Sequence, residues 1–256
     1  MILVPTPLGR HALTRHVAVK ASDYRDGDVV PPHRHARAQL VHAVTGVMRV
    51  TARGASWVVP PGRAVWMPAR TTHAIRMAGD VAMRTIFVER KALPEAPDDC
   101  VIVEVSPLLR ELILAAIAIA PVREDDARAR AIWALIRAEL RSGRVVPLRL
   151  PLPEDRRARR LCEAFLADPS APFGLDGWAD RAGASARTVS RLFRRETGMS
   201  FGAWRQQARL AEAVARLAQG QAVGAVAGAL GYRSAAAFTQ MFRRALGRTP
   251  SAYLRG

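Results

Sequence analysis

The sequence has few cysteines and no long hydrophobic run, and both absences narrow the class of protein. Cys100 and Cys162 are the only cysteines among the 256 residues, too few for a disulfide framework or a thiolate metal site. The longest apolar run, Leu112 to Ala120, is about half of what a helix needs to span a bilayer. The N-terminal residues lack the apolar core of a signal peptide. We therefore expect a protein of the reducing cytoplasm with no membrane association.

Lysine is also scarce, although the chain is strongly basic. Of the 39 basic residues only Lys20 and Lys91 are lysines, and the 22 acidic residues leave a formal net charge of +17. A codon bias toward arginine explains the ratio of the two residue types. The net positive charge itself fits a polyanionic partner, because the guanidinium fork pairs with phosphate and with guanine.

The chain changes character along its length. Val-rich runs between residues 29 and 88, separated by Gly and Pro, predict short strands of an antiparallel sandwich or small barrel. Helical spacing begins at Ser106, and Gly143 closes a second helix. Three prolines between Pro147 and Pro153 indicate a linker. We predict an α+β protein with a β-rich domain at 1–105, a helical connector at 106–146, a linker at 147–157 and an all-α domain at 158–256.

The C-terminal part contains a degenerate internal repeat. The segment WADRAGASARTVSRLFRRETGMS, from Trp178, aligns with VAGALGYRSAAAFTQMFRRALGRTP, from Val226. Each copy reads as a short helix, a turn that contains glycine, and a second helix opened by Ser185 or Ser234 as N-cap. This is the helix-turn-helix pattern, present twice.

The second helix of each copy has an apolar face and a polar face. The apolar residues Val189, Leu192 and Phe193, and in the other copy Phe238, Met241 and Phe242, are predicted to be buried. The opposite faces carry Arg187, Ser190, Arg191 and Arg194 in the first copy and Ala236, Thr239, Gln240 and Arg243 in the second. In a major groove Arg pairs with guanine, Gln with adenine, and methyl groups touch thymine. Arg194 and Arg243, near the helix ends, are better placed for phosphates. The alternative, two solvated helix faces, is less consistent with two matched copies.

Residues 158–255 closely resemble the DNA-binding domain of the AraC/XylS family of bacterial transcription regulators. The resemblance is most specific in the motifs GY, FTQMFRR and GRTPSAY of the second copy. It implies a seven-helix domain whose two helix-turn-helix units enter successive major grooves on one face of DNA. It also implies the reading residues Arg187, Ser190 and Arg191 in the first unit, and Ala235, Ala236, Thr239 and Gln240 in the second. Alanines at 235 to 237 predict weaker hydrogen-bond readout by the second unit.

A histidine pair lies in the stretch PPHRHARAQL of the β-rich domain. On an extended strand His33, His35 and Gln39 share one face, because side chains two residues apart point the same way. The spacing within 27–46 and 62–73 resembles the two motifs of the cupin superfamily, small β-barrels that are common as sensor domains in the AraC family. The resemblance implies a cupin-like effector domain in which the metal ligands would be His33, His35, Gln39 and His73.

Two interpretations of this pocket stay open. Three imidazoles with an open position could hold Zn, Ni, Cu or Fe, or the histidines could hydrogen-bond to a small ligand with no cofactor required. Gln39 stands where cupins usually have glutamate, and an amide is a poorer ligand than a carboxylate. Arg70 and Met77 also depart from the second cupin motif, which argues against metal-dependent catalysis. Trp57 and Trp66 are expected in the barrel core or on the wall of the effector pocket.

These observations predict a cytoplasmic, sequence-specific transcription regulator of the AraC type, with no catalytic residue. The expected partners are double-stranded operator DNA, a small-molecule or metal effector, a second copy of the chain and, for an activator, RNA polymerase. The connector helices are predicted to form the dimer interface or to dock the sensor domain on the DNA-binding domain, with ordinary intramolecular packing as the alternative. The rival functions are a cupin metalloenzyme, an oxygenase or isomerase with an accessory DNA-binding domain, and a nonspecific architectural DNA binder.

Overall fold

The computed structural model describes residues 11–121, 126–143, 145–146, 149–171, 174–181 and 183–254. Its packing divides the chain into two compact units. The first unit contains residues up to 53 together with 59–147, and the second contains residues 54–58 together with 148–256. The strands of the described residues are β1 (His11–Thr14), β2 (Val17–Tyr24), β3 (Val29–His33), β4 (Ala38–Ala43), β5 (Val47–Ala52), β6 (Ala55–Val59), β7 (Arg63–Met67), β8 (His73–Ala78), β9 (Val81–Val88), β10 (Val101–Glu104), β11 (Val145–Val146) and β12 (Arg149–Pro151).

Antiparallel strands build the first unit. Seven of them form one sheet in the order β1-β2-β9-β4-β7-β10-β11. Facing it, β8 pairs on one side with β3 and on the other with β5. Because strands alternate their side chains between two faces, one face of the large sheet can line a cavity while the other packs on helices.

Two helices cover the outer face of the large sheet. They are α1 (Pro107–Ile119) and α2 (Ala127–Ser142). Ser106 caps α1 by accepting the N–H of Leu109, and Asp126 caps α2 in the same way. Their buried residues, among them Ile113 and Ile136, share a core with Leu40 of β4 and with other outward-facing strand residues.

This packing bears on the predicted connector at 106–146. In the structure the inner faces of α1 and α2 belong to the core of the first unit, so intramolecular packing accounts for Leu112, Ala116 and Ile132. Leu108 of α1 and Leu135 of α2 are instead 51% and 49% exposed. The helices are therefore part of the β-rich unit, with a partly apolar surface turned outward.

The second unit is mainly helical. Beyond the antiparallel pair of β6 with β12, its described residues form seven helices, the number that the resemblance implies. They are α3 (Arg156–Ala167), α4 (Leu175–Arg181), α5 (Ala186–Thr197), α6 (Phe201–Ala218), α7 (Val223–Ala229), α8 (Ala235–Leu246) and α9 (Pro250–Leu254). Around α6 packs an aromatic core in which Phe165, Trp178 and Trp204 are fully buried. The predicted α+β class, with a β-rich first part and a helical second part, is confirmed.

The segment predicted as a linker is ordered where the structure describes it. Pro151 closes β12, and its carbonyl accepts the Nε1–H of Trp204 at 2.6 Å. Leu150 lies in the core of the helical unit. Proline excludes helix but is tolerated in an edge strand, so a proline-rich stretch does not have to be a free tether. Residues 147 and 148 lie outside the described ranges, and the predicted domain boundaries stay predictions.

The chain enters the helical unit at a fixed point. The backbone N–H groups of Glu154 and Asp155 both donate to Oε2 of Glu196, at 2.8 and 2.9 Å. These donors and the neighbouring guanidinium of Arg195 hold the pKa of the Glu196 carboxyl below its usual range. The end of α5 is thereby bonded to the start of the helical unit. No helix within the described ranges combines the length and apolarity that crossing a bilayer requires.

Candidate functional site

The second helices of the two sequence repeats, α5 and α8, have the same local construction. Each is 12 residues long. Ser185 accepts the N–H of Thr188 at 3.2 Å, and Ser234 accepts that of Ala237 at 3.1 Å. A serine cap satisfies one of the unpaired N–H groups at a helix start, so both helices begin at the residue that the sequence predicts.

Both helices also end in the same way. Gly198 and Gly247 follow them with φ of +72° and +74°, in the left-handed region that glycine adopts without strain. The N–H of Gly198 donates to the carbonyl of Arg194, and that of Gly247 to the carbonyl of Arg243. The repeat that is seen in the sequence is therefore also present in the structure.

The turns before these helices differ in how tightly they pack. Gly183 and Gly231 have φ of +63° and +76° at equivalent places. A Cβ on Gly183 would meet no atom within 4 Å, whereas one on Gly231 would lie 3.0 Å from the carbonyl oxygen of Ser170. The second turn is thus fixed by a close backbone approach as well as by its conformation.

The outward faces of α5 and α8 agree with the helical wheel. The inner residues, Val189, Leu192 and Phe193 in α5 and Phe238, Met241 and Phe242 in α8, are buried. Of the predicted reading residues, Ser190 and Thr239 are half-buried. The exposed ones are Arg187, Arg191, Arg194, Ala235, Ala236, Gln240 and Arg243. All nine can therefore face a duplex, and their contacts with DNA stay predictions.

Arg233 is a further exposed cation beside this surface. It precedes the Ser234 cap, at the N-terminal end of α8. The wheel analysis missed it because a wheel covers only residues inside a helix. A basic residue immediately before the cap of a predicted reading helix is the signal that would have identified it, because helix N-termini approach phosphates.

Three histidines of the first unit come together, although they do not lie along one extended strand as the sequence argument supposed. His33 at the end of β3 pairs in register with His73 at the start of β8. His35 lies between β3 and β4, and one ring nitrogen from each of the three residues lies within 4.8 Å of the others. Gln39 of β4 adds its amide, whose nitrogen is 3.3 Å from Nε2 of His73.

Backbone carbonyls fix the tautomers of two of these rings. Nδ1 of His33 is 2.8 Å from the carbonyl oxygen of Pro31, and Nδ1 of His73 is 2.9 Å from that of Thr71. A carbonyl only accepts, so each Nδ1 carries a proton, and in the neutral form of either ring Nε2 keeps its lone pair. Metal-binding histidines are commonly oriented in this way.

The charge state of His73 follows from its burial. Desolvation lowers the pKa of His73 to about 4, the Thr71 carbonyl partly opposes this, and the neighbouring His33 lowers it further. His73 is therefore neutral at pH 7 and can accept a hydrogen bond from the Gln39 amide. In this arrangement Gln39 acts as a donor to His73 and turns its nitrogen to the ring.

The histidines line a cavity of about 150 Å³ inside the first unit. Both sheets contribute to its wall. Among the large-sheet residues that sequence analysis missed are Lys20, Tyr24, Thr85 and Phe87. They were missed because the Val-rich pattern begins at residue 29, after β2, and because the pairing of β2 with β9 joins distant parts of the chain.

Trp57 and Trp66 do not line this cavity. Trp66 lies next to Met67 on β7 and points to the opposite face of the sheet, where its Nε1–H donates to the carbonyl of Pro97 at 3.0 Å. Trp57 on β6 is buried at 2% exposure. The alternation of faces along β7, which depends on strand register, separates the Trp66 indole from the histidines.

Two family models match the chain. Residues 178–256 match the model described as a helix-turn-helix domain, and residues 16–151 match the AraC-like ligand binding domain. The second match alone covers more than half of the 256 residues. The chain belongs to the AraC family.

Two curated relatives, NimR and RipA, agree with this assignment. The HTH-type transcriptional regulator NimR of Escherichia coli is 34% identical over 224 residues, which cover 88% of this chain and 82% of NimR. The regulator RipA of Corynebacterium glutamicum is 36% identical over 106 residues, 41% of this chain and 32% of RipA. A crystal structure of ToxT from Vibrio cholerae with a bound unsaturated fatty acid matches 94% of this chain and 95% of that chain, with 10% identity and a TM-score of 0.39.

The AraC-family chain is accordingly a DNA-binding transcription regulator with a ligand-binding domain. The predicted DNA-binding regulator with a ligand-binding domain is confirmed, and the matching families and relatives are transcription regulators and not enzymes, as predicted. The rival interpretation as a cupin oxygenase or isomerase has no support among the families and relatives that match.

Proposed function

We propose that this AraC-family regulator reads a specific operator with α5 and α8, and that an effector in the histidine cavity controls that reading. The observation that carries the first part is the matched construction of α5 and α8, each with a buried apolar face and an exposed outward face. Arg187, Ser190 and Arg191 read bases from α5. Ala235, Ala236, Thr239 and Gln240 read them from α8, while Arg194 and Arg243 contact phosphates.

Control by the effector is supported by the alternation of the large sheet. Gln39 faces the cavity, and the next residue, Leu40, packs in the core with α1 and α2. On β9 Thr85 and Ile86 are divided between the two faces in the same way. A ligand that moves β4 or β9 therefore displaces the residues on which α1 and α2 rest.

The dimer is a second part of the proposal. A second copy of the chain docks on the outer face of α1 and α2, where Leu108 and Leu135 are about half exposed. Association of two protomers there places two helical units on one operator. If the protein is an activator, the bound dimer also contacts RNA polymerase. We place the protein in the cytoplasm, with the DNA that it regulates.

A divalent metal is one possible component of the effector site. His33 presents an Nε2 lone pair whose orientation is fixed through Nδ1, and His73 would do so once the Gln39 amide gave up its hydrogen bond to Nε2; these donors would suit Zn, Ni, Cu or Fe. His35 supplies the third imidazole. The metal would add positive charge to the cavity and leave open positions for a ligand. Metal analysis of the purified protein beside a His33→Ala variant decides whether it is a resident component.

Specific reading is tested by selection of bound duplexes from a random pool with the full-length protein. A reader of bases enriches one motif and binds it more tightly than random duplex by roughly 4–10 kcal/mol at a stated salt concentration. Enrichment of no motif, with equal affinity for all duplexes, would instead identify a nonspecific architectural binder and overturn the proposal.

A further inference from the structure

The two helix-turn-helix repeats, α4 with α5 and α7 with α8, are joined by the long helix α6. The start of α6 packs in the aromatic core of the first repeat, where the ring centroids of Trp204 and Phe193 lie 5.8 Å apart. The helix ends at Ala218, and α7 follows after a short turn. Two helices that read one duplex together must match its pitch, so their mutual placement matters as much as their own side chains.

Arg209, near the middle of α6, contacts groups from different parts of the helical unit. Its Nε–H donates to the carbonyl of Pro169, 3.0 Å away, in the turn that follows α3. Its guanidinium carbon lies 5.4 Å from the ring centroid of Phe165 on α3 and 5.9 Å from that of Tyr232, in the turn between α7 and α8. A guanidinium within roughly 6 Å of a ring is attracted to it, and its planar fork keeps the donor in a fixed direction. This one half-buried side chain therefore joins α3 to the turn before α8.

Both ring partners of Arg209 lead into the core behind a reading helix. Phe165 is fully buried, and its ring centroid lies 5.9 Å from that of Trp204, which packs against α5. Tyr232 lies 5.5 Å, between ring centroids, from Phe238, a fully buried residue of α8. The contacts of Arg209 are thus one residue removed from the cores that hold α5 and α8. A rotation of α8 relative to α5 would pull Arg209 away from at least one of its two rings.

A backbone contact between the same two turns reinforces this link. A Cβ on Gly231 would lie 3.0 Å from the carbonyl oxygen of Ser170, so the turn before α8 touches the turn after α3 through its backbone. The Asp168 carboxylate accepts both the backbone N–H and the hydroxyl of Ser170, at 3.1 and 2.6 Å, and thereby fixes the turn after α3. The bond from Arg209 to Pro169 and the backbone approach therefore act on the same pair of turns.

We propose that Arg209 is a positioning residue for operator reading: it fixes the second repeat on the first, so that the protein accepts one separation between the bases that α5 and α8 read. The inference rests on the proposed function, since it concerns the same two helices. Arg209 acts through Tyr232 and the turn after α3, and not by contact with DNA. One added base pair moves the second group of bases by about 3.4 Å along the duplex and about 35° around it, which a fixed pair of repeats cannot follow.

The test compares the motif selected from a random pool with duplexes in which one base pair is inserted or deleted between its two groups of fixed bases. The full-length wild-type protein is expected to bind the altered duplexes at least about tenfold more weakly, because one helix loses its base contacts. Arg209→Gln is expected to reduce that ratio to about threefold or less, because the second repeat can then adjust to the new spacing. Tyr232→Leu is expected to have the same effect, because it removes the ring on the other side of the contact.

Two further variants make the comparison specific. Arg209→Lys keeps a positive charge and a donor without the planar fork, and it is expected to restore part of the ratio. Arg216→Gln is the matched control, because Arg216 belongs to the same helix and its ion pair with Glu212 is local to α6. It is expected to keep the wild-type ratio. If Arg209→Gln does not fold, Arg209→Lys and Tyr232→Leu provide the comparison.

Several results would overturn the inference. One is a wild-type protein that binds the altered duplexes as tightly as the motif. Another is a wild-type ratio in both Arg209→Gln and Tyr232→Leu, which, together with a lower free energy of unfolding, would leave Arg209 a structural role only. A selected motif with a single group of fixed bases would also overturn it, while specific reading of an operator would stand. Selection of no motif contradicts the proposed function itself, and the inference falls with it.

Discussion

The two helices that we propose read DNA, α5 and α8, have the same construction and differ in their outward side chains. Both α5 and α8 begin at a capping serine, bury an aromatic inner face and end at a left-handed glycine. Outward, α5 exposes Arg187 and Arg191, whereas α8 exposes alanines and Gln240. Core packing and the caps thus determine the construction that the two helices share, whereas the outward-facing residues are not constrained by them and differ. We infer that α5 contributes most of the charge and hydrogen bonding, and that α8 reads mainly through shape, methyl contacts and one amide.

The largest expected effect comes from breaking the construction that α5 and α8 share. Phe193 and Phe242 are the equivalent fully buried aromatic residues of the two helix-turn-helix repeats. Replacing either by alanine is expected to cost about 3–5 kcal/mol of the free energy of unfolding, because each change leaves a cavity in the core. Chemical denaturation measures this loss, with Leu166→Ala at a partly exposed position as the control. A cost several-fold smaller at one of the two sites would show that the two constructions are not equivalent.

Substitution of the turn glycines should have a smaller effect on the free energy of unfolding, and the size of that effect should differ between the two helix-turn-helix repeats. Gly231→Ala is expected to cost about 2–3 kcal/mol, because positive φ and contact with the Ser170 backbone both oppose a Cβ. Gly183→Ala has only the conformational cost, about 1–2 kcal/mol. The two variants are compared by denaturation under one set of conditions. Equal losses would mean that the approach to Ser170 adjusts without cost.

The next comparison concerns base reading. Arg191→Ala and Gln240→Ala are each expected to lose about 1–3 kcal/mol at one base pair, with the greater loss for arginine because its bonds are charge-assisted. Affinities for the selected motif and for its single-base variants measure the effect. If Gln240→Ala costs more than Arg191→Ala, the assignment of the main hydrogen-bond readout to α5 is contradicted.

The smallest expected effects on DNA affinity come from the arginines near the ends of α5 and α8. Arg194→Ala and Arg243→Ala should weaken binding to all duplexes alike and lower the slope of log affinity against log salt by about one. Affinity measured at several salt concentrations, on the motif and on random DNA, gives both quantities. A change of base preference in either variant would show that the substituted arginine reads a base and does not only contact a phosphate.

Sequence reasoning predicted the helical unit better than the cavity, for a physical reason. The caps, the turn glycines and the i, i+3, i+4 apolar stripes of α5 and α8 are local signals, each contained within about 15 residues. His33, His35 and Gln39 were found because they lie on one short stretch. Lys20 and Thr85 meet through the pairing of strands far apart in the chain, and no local pattern records that register.

The two tryptophans illustrate the same difficulty. Trp66 lies one residue from the cavity-facing series, and the choice of face depends on the exact register of β7 against β4. Burial could be predicted from the apolar surroundings, but not the side of the sheet. The proline-rich stretch before α3 also required tertiary information, because the Pro151 carbonyl is held by Trp204, which lies much later in the chain.

The carboxylate of Glu196 makes the two reading helices unequal in a second respect. This carboxylate accepts hydrogen bonds from the backbone amides of Glu154 and Asp155. A displacement of the chain where it enters the helical unit is therefore transmitted directly to the last turn of α5. The turn before α8 has a backbone contact of its own, the close approach of Gly231 to Ser170. We expect a displacement of Glu154 and Asp155 to act directly on the arginine-bearing α5, whereas α8 is held at its preceding turn by a different part of the chain.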